Sequence, residues 1–297
     1  MLKISKLSFP GLGIGEFSVN SVAFSLDLFG KTIDIAWYAI IITFGMICAI
    51  TYAVLRSKKI GVTFDDILDM ALYTIPVGVI GARLYYVMTK PEQFDTFEKI
   101  IRIRDGGLAI YGAIIAGGIT VLICCLVKKI NFFAIADCVA PGVLLAQGIG
   151  RWGNFMNGEA FGGETDLFCR MGLQNNISAL TFSTTDMVYV HPTFLYESLW
   201  NIAGFTLAAL LTSKKKYDGQ IFLIIFGWYG LGRMFIEGLR TDSLYSSIFG
   251  IEFRTSQVLA AVIFVIATAL IVYFMIKRPT RPLYFKTATK NTKEKKK

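Results

Sequence analysis

Polar and charged residues collect at the end of a long apolar run, in the segment Gln147–Gly163 with the sequence QGIGRWGNFMNGEAFGG. The segment carries Arg151, Asn154 and Glu159 among several glycines. Ionisable side chains beside hydrocarbon are costly, and they are normally retained because they contact a substrate, an ion or one another. The guanidinium of arginine is a planar fork of donors that fits a pair of phosphate oxygens and stays charged inside proteins. The segment therefore indicates a site for an anionic ligand.

Two further arginines lie within apolar runs. Arg233 and Glu237 are four residues apart in GWYGLGRMFIEGLR, so they share one helix face, and Arg240 follows three residues later. Arg83 lies toward the end of another run. A single arginine near a helix end usually extends to the membrane interface, and Arg233 has a ready partner in Glu237. Three arginines together nevertheless favour an anionic ligand, for which a phospholipid head group is the obvious local candidate.

The composition is that of a membrane protein. Hydrophobic residues make up 54% of the 297 residues and charged residues only 17%, whereas soluble domains carry about a quarter charged residues. A helix needs about twenty apolar residues to cross a bilayer. The sequence therefore predicts an all-α integral membrane protein with about seven transmembrane helices, at Asp34–Leu55, Ile67–Met88, Leu108–Val127, Phe132–Gly150, Thr193–Leu211, Gln220–Gly238 and Gln257–Ile276.

The basic residues predict the orientation of these helices. With the N-terminus outside, seventeen of the thirty Lys and Arg fall in the inside loops and the tail, and the inside loops are almost purely basic. The positive-inside rule then predicts a cytoplasmic C-terminus and puts all three arginines at the outer boundary of the bilayer. The expected organisation is an N-terminal interfacial or outside segment, a membrane domain with a small extracytoplasmic cap, and a basic cytoplasmic tail. These regions cover 1–33, 34–276 (with the cap at about 151–192) and 277–297.

Charge and motif content argue against several other functions. The net charge of +9 suggests nucleic-acid binding, but nine of the thirty basic residues follow the last apolar run. A basic tail there predicts an anchor near anionic lipid, and no nucleic-acid-binding motif accompanies it. The single histidine, His191, and the absence of CxxC or Cys/His spacing give little support to a metal site or a Ser-His-Asp triad. We therefore expect no metal, no organic cofactor and no nucleic-acid partner.

Several other residues have an ordinary interpretation. Tyr38, Tyr111 and Tyr229 lie near predicted helix ends, where tyrosine is most often an interfacial residue. His191 begins a helix and is expected to form hydrogen bonds there. Glu197 lies one turn into the same helix, where a carboxylate must be paired or hydrogen-bonded.

Four motifs closely resemble those of the prolipoprotein diacylglyceryl transferase family, whose members begin bacterial lipoprotein maturation. In chain order they are GGLAIYG, GRWGNFMNGEAFG, HPTFLYE and YGLGRMFIEGLR. The resemblance covers most of the chain, and the predicted number of helices agrees with it. It implies a multi-pass enzyme of the bacterial plasma membrane. That enzyme moves a diacylglyceryl group from phosphatidylglycerol to the lipobox cysteine of a prolipoprotein and releases glycerol phosphate.

The resemblance also implies roles for particular residues. Arg151 matches an arginine associated with phosphatidylglycerol binding, and Arg233 and Glu237 match the charged pair of a later motif. Tyr38 matches a tyrosine of the first helix. Tyr111 stands where some members have histidine, so hydrogen bonding fits it better than proton abstraction at its usual pKa near 10. We predict a catalytic set of Arg233, Glu237, Tyr111 and Tyr38, and a phosphatidylglycerol-binding set of Arg151, Asn154, Glu159, Gly162 and Arg83.

The positive charge of the arginines would assist the reaction in two ways. A thiolate is the nucleophile, and nearby arginines favour it by lowering the pKa of the substrate cysteine. The same positive field stabilises the departing phosphate. The alternative is an anion or lipid transporter with an arginine-lined pathway, which would have its site near the midplane between broken helices. A structural membrane protein is a third interpretation, but it would leave the Arg-Asn-Gly segment unexplained.

Overall fold

Seven helices of the described part of the chain are long and apolar enough to cross a membrane, which confirms the predicted number. The computed structural model describes residues 4–28, 30–103, 106–175, 186–241, 245–248, 251–277 and 283–284. The seven helices are α1 Trp37–Ser57, α2 Phe64–Thr89, α4 Ile110–Val127, α5 Phe132–Asn157, α6 Thr193–Leu211, α7 Gln220–Ile236 and α8 Thr255–Lys277. A short helix, α3 Phe97–Ile101, lies between α2 and α4. The orientation in the membrane stays a prediction, and the predicted tail lies almost wholly outside the described residues.

The chain forms two units. The first unit comprises Met1–Ala49 and Ala140–Arg281, and the second comprises Ile50–Val139 and Pro282–Lys297. The boundaries fall within α1 and α5. In the second unit α2 and α4 approach closely. The approach is so close that a Cβ atom on Gly81 would lie only 2.7 Å from the backbone oxygen of Gly112. Small residues on α4, among them Gly112 and Ala116, allow this approach.

The first unit also contains β-structure that the sequence did not predict. Four antiparallel strands pair in the order β2-β1-β5-β6. Their inner side chains, among them Leu7, Leu173 and Val190, pack with Phe194 of α6 in a buried cluster. Two further hairpins, β3–β4 and β7–β8, precede α1 and α8. The strands are β1 Ile4–Phe9, β2 Ile14–Asn20, β3 Val22–Leu28, β4 Lys31–Ala36, β5 Met171–Asn175, β6 Val188–Val190, β7 Tyr245–Ile248 and β8 Ile251–Arg254.

Helix α5 ends seven residues later than predicted, at Asn157 and not at Gly150. Gly158 adopts the left-handed conformation with φ 60° and closes the helix. Its N–H donates to the oxygen of Phe155 at 3.0 Å, and the N–H of Glu159 donates to that of Asn154 at 3.1 Å. This pair of bonds is the Schellman motif. The first residues of the predicted cap, including Arg151 and Asn154, are therefore helical, and the helix fixes the directions of their side chains.

Candidate functional site

A buried carboxylate of α6, Glu197, joins three arginines of the first unit. Glu197 is only 5% exposed. Its carboxylate forms an ion pair with Arg151 of α5. It also pairs with Arg233 of α7 (Nη1 to Oε1, 3.1 Å) and with Arg240 just beyond α7 (Nη1 to Oε1, 3.4 Å). One anion therefore holds cations from three chain segments at a single point.

A second buried carboxylate completes this cluster. Glu237 is 2% exposed, and its Oε2 lies 2.6 Å from Nη2 of Arg233. The two residues are one helical turn apart, as their spacing predicted. Arg254, the last residue of β8, donates to the backbone oxygen of Glu237 at 2.8 Å and so ties the end of β8 to the same place. Among the described residues, the guanidinium groups of Arg151, Arg233 and Arg240 thus contact two buried carboxylates directly.

The end of α5 orients Arg151. Nη1 of Arg151 lies 3.4 Å from Oδ1 of Asn154. The amide of Asn154 donates to Oε1 of Glu159 at 3.2 Å, and the amide of Asn157 donates to the same oxygen at 3.0 Å. The turn after α5 brings Glu159 back over Asn154, so the chain Glu159–Asn154–Arg151 follows from the helix cap. The structure thus brings together three residues of the predicted phosphatidylglycerol-binding set.

Gly162 lies where three segments meet. It pairs with Arg240 as an isolated β-bridge, and its N–H donates to the oxygen of His191 at 3.0 Å. A Cβ atom at this position would lie 2.7 Å from Cβ of His191 and 2.9 Å from the oxygen of Leu239. Only glycine allows so close an approach. The glycine connects the loop after α5 to the segment that carries Arg240.

Two tyrosines of the first unit lie within electrostatic range of Arg151. The ring of Tyr38 in α1 packs on Gly153, where a Cβ atom would lie 2.8 Å from Cδ2 of the ring. Tyr38 is within electrostatic range of Arg151 and Glu159. Tyr229 of α7 is within electrostatic range of Arg151 as well, although its position alone had suggested an interfacial residue.

Arg83 and Tyr111 belong to the second unit, and Arg83 has an environment unlike that of the cluster. Its five N–H groups donate to the backbone oxygens of Lys99, Ile100, Arg102, Gly106 and Gly107, at 2.6–3.1 Å. The guanidinium also lies 4.8 Å from the ring centre of Phe94, and the residue is 6% exposed. No donor of Arg83 is left for a phosphate in this arrangement. The geometry argues against its predicted part in lipid binding.

Tyr111 is the second residue of α4, near the end of the helix where the sequence predicted it. Its ring lies 6.2 Å from that of Tyr85 on α2. The N-terminal end of α4 is attached to α2 by a bond from the N–H of Ala109 to the oxygen of Ala82, at 3.0 Å. Tyr111 therefore has a defined position at the α2–α4 contact.

The sequence-based sets leave out two residues of the cluster, Arg240 and Glu197. The sequence did contain a signal for Glu197, because a carboxylate one turn inside an apolar helix requires a partner. The sequence did not show that three arginines would share it. Those partners lie 36 to 46 residues away along the chain, on segments whose relative register no local pattern specifies.

Comparisons with known proteins agree on one family. A family model described as prolipoprotein diacylglyceryl transferase matches residues 22–273. A phosphatidylglycerol–prolipoprotein diacylglyceryl transferase of Listeria welshimeri is 40% identical over 267 residues, which is 90% of this chain and 94% of the relative. The enzyme of that name in Ligilactobacillus salivarius is 42% identical over 269 residues, 90% of this chain and 97% of the relative. A Clostridium perfringens transferase of this kind is 44% identical over 237 residues, 76% of this chain and 85% of the relative.

Proposed function

This chain belongs to the prolipoprotein diacylglyceryl transferase family, and from that membership we propose how its charged cluster serves the reaction. The protein is a multi-pass membrane transferase that acts in the first step of lipoprotein maturation. We propose that phosphatidylglycerol is the donor, that a lipobox cysteine is the acceptor, and that the reaction takes place at the outer boundary of the bacterial plasma membrane.

The chemistry is a substitution at the glyceryl carbon that carries the phosphate. The sulfur of the lipobox cysteine forms a C–S bond to that carbon while the C–O bond to the phosphate breaks. Glycerol phosphate leaves with the bonding electrons, and the thiol proton passes to a base or to solvent. Negative charge is therefore present on the sulfur at the start and grows on the phosphate as the bond breaks. Fixed positive groups lower the energy of both species.

Arg151 and Arg233 are proposed to flank the lipid phosphate. The observation that carries this proposal is their shared contact with the buried carboxylate of Glu197, which Arg240 also contacts. Glu197 holds the two guanidinium groups close together before the lipid arrives, which their mutual repulsion would otherwise oppose. A bound phosphate would then meet two guanidinium groups that are already held in place.

The remaining residues of the site have supporting roles in this proposal. Asn154 and Glu159 orient Arg151 through the hydrogen bonds at the end of α5. Gly162 fixes the segment of Arg240, and Glu237 orients Arg233. Tyr38 lies beside Arg151 and Glu159, where its hydroxyl can bind a polar group of the substrate. Tyr111 is proposed to orient a substrate by hydrogen bonding, and Arg83 is not part of the phosphate site.

Diacylglyceryl transfer to a lipobox peptide in phosphatidylglycerol liposomes tests the phosphate site. Arg151→Ala and Arg233→Ala are each expected to lower the rate about 10²–10³-fold, since each removes charge stabilisation of the departing phosphate. Arg170→Ala is the matched control, because this guanidinium contacts the oxygen of Asp166 and the ring of Tyr189. Near-normal rates in both cluster variants would show that the two arginines do not bind the phosphate.

The same assay separates a transferase from a transporter. Glycerol phosphate should be released only when phosphatidylglycerol and the lipobox peptide are both present. Release or uptake of the lipid without the peptide would instead indicate an arginine-lined transport pathway.

A further inference from the structure

Two tryptophans join α6 to α7 by a symmetric pair of hydrogen bonds. Nε1 of Trp200 donates to the backbone oxygen of Trp228 at 3.0 Å, and Nε1 of Trp228 donates to that of Trp200 at 2.9 Å. The two rings stack with their centres 4.3 Å apart and their planes 20° from parallel. We call this pair the tryptophan clasp. It satisfies both indole N–H groups within helices that cross the membrane, where water cannot do so.

A glycine on each helix makes the clasp possible. Gly204 follows Trp200 by four residues, and Gly232 follows Trp228 by four. In a helix the side chain at i+4 covers the turn that contains the carbonyl of residue i. A Cβ atom on Gly204 would lie 2.5 Å from Cδ1 of Trp228, and one on Gly232 would overlap the indole of Trp200. The repeated Trp-x-x-x-Gly pattern therefore opens each carbonyl to the indole of the other helix.

The clasp adjoins the ion pair of the proposed phosphate site. Glu197 precedes Trp200 by three residues on α6, and Arg233 directly follows Gly232 on α7. Three residues of helix correspond to about 4.5 Å along the axis. From the Glu197–Arg233 contact to the Trp200–Trp228 contact, the residue number rises on α6 and falls on α7. The two contacts are therefore consistent with a single antiparallel packing of these helices. A shift or rotation of α7 at the clasp would move Arg233 with it.

We propose that Trp200 and Trp228 are positioning residues that hold Arg233 for the phosphate. The inference rests on the proposed function. The ion pair of Arg233 with Glu197 cannot by itself keep α6 and α7 in register during the reaction. In the proposed site Arg233 exchanges part of its contact with Glu197 for a contact with the incoming phosphate. The clasp consists of neutral hydrogen bonds and ring stacking, neither of which the lipid charge weakens. It therefore keeps α6 and α7 in place while the charges are redistributed, and a misplacement of about 1 Å at such a site can cost a hundredfold in rate.

The experiment uses full-length protein in phosphatidylglycerol liposomes and measures kcat, KM for the lipid and the thermal unfolding midpoint. Trp228→Phe keeps the stacked ring and removes one N–H, and Trp200→Phe removes the other. Each is expected to lower kcat about tenfold with a smaller change in KM, because Arg233 is misplaced in the transition state. Gly204→Ala, which blocks the approach of Trp228, should lower kcat further. Gly118→Ala on α4 is the matched control, since a Cβ atom there meets nothing within 4 Å.

A double-mutant cycle separates positioning from general stability. Trp228→Phe is combined with Arg233→Lys, which keeps a measurable rate but loses the planar fork. If the clasp acts through Arg233, Trp228→Phe should lower kcat much less in this background than in the native chain. An equal loss in both backgrounds, or a native rate in both Trp→Phe variants, would overturn the proposal. A native rate for Arg233→Lys alone would instead contradict the phosphate site, so the two failures are distinguishable.

Discussion

Two arginine environments in this molecule differ in the kind of acceptor that surrounds them. Arg83 donates all five N–H groups to neutral backbone oxygens. Arg151 and Arg233 contact carboxylates, and they share one of them. Backbone oxygens cannot leave without unfolding the loop that carries them, whereas a carboxylate contact can lengthen when another anion arrives. The first environment suits a permanent structural contact, and the second suits the proposed phosphate site.

The comparison also shows what charge balance contributes. Around Arg83 the dipoles of backbone carbonyls stabilise the charge of the guanidinium. Because Arg83 is buried, the loss of any of these hydrogen bonds would lower the stability of the fold. In the cluster, carboxylates contact three guanidinium groups directly. We propose that the phosphate of an anionic lipid competes for these contacts. Substitutions at four positions test this contrast, namely Glu197, Arg83, Arg233 and Gly162.

The largest effect is expected from Glu197→Gln. The substitution keeps the size of the side chain and removes the anion that three arginines share. Uncompensated buried charges should destabilise the protein by about 3–5 kcal/mol. Transfer activity should fall below about 1% because Arg151 and Arg233 move apart. Thermal unfolding in micelles and the liposome transfer assay measure the two effects.

The control for Glu197→Gln is Glu98→Gln. Glu98 on α3 pairs with Arg102, the residue directly after this helix, and both side chains are more than half exposed. Loss of such a surface pair should change stability by less than about 1 kcal/mol. If Glu197→Gln behaved like this control, the carboxylate would not be what holds the arginines together.

An Arg→Lys exchange at both positions tests the comparison itself. Lysine has three donors on one atom and cannot reproduce the fork. Arg83→Lys should therefore lose at least two of its five bonds and destabilise the protein by about 2–4 kcal/mol. Its KM for phosphatidylglycerol should stay close to that of the native enzyme. Arg233→Lys should leave the unfolding midpoint nearly unchanged and lower kcat about a hundredfold.

The opposite pattern would reverse the assignment. A raised KM for Arg83→Lys with native stability would return Arg83 to the lipid-binding set that the sequence predicted. A large loss of stability in Arg233→Lys with a native rate would make Arg233 the structural residue. Unfolding midpoints and lipid titrations of the two variants, prepared in parallel, are sufficient to decide.

The sequence predicted those parts of the molecule that depend on local pattern. Helix number follows from the length of the apolar runs, and the ion pair of Arg233 with Glu237 follows from their spacing. The roles of Arg83 and Glu197 depend on partners far along the chain. Arg83 resembles the other arginines in sequence, because a guanidinium near a helix end looks the same whether carbonyls or carboxylates surround it.

The β-structure and the tryptophan clasp were not predicted, because both depend on contacts between segments that are distant in the sequence. Strand β1 pairs with β5, more than 160 residues later, and each strand is too short for its alternation to be distinctive. The Trp-x-x-x-Gly pattern of α6 and α7 does not by itself show that the two helices pack together. Its effect, which is to let each indole reach a carbonyl of the other helix, is visible only in the packed pair. The extension of α5 to Asn157 required recognition of Gly158 as its cap, although glycine after a polar helix end is a common signal.

The smallest effect is expected from adding one methyl group at Gly162, compared with the same change at the next residue. A Cβ atom at Gly162 would press on Cβ of His191 and on the oxygen of Leu239, whereas one at Gly163 would meet nothing within 4 Å. Gly162→Ala should displace the strand-like segment that carries Arg240 and weaken its contact with Glu197. We expect about a tenfold lower transfer rate, because the carboxylate keeps its other two arginines. Gly163→Ala should retain the native rate, and equal rates for the two variants would show that Arg240 does not depend on this bridge for its position.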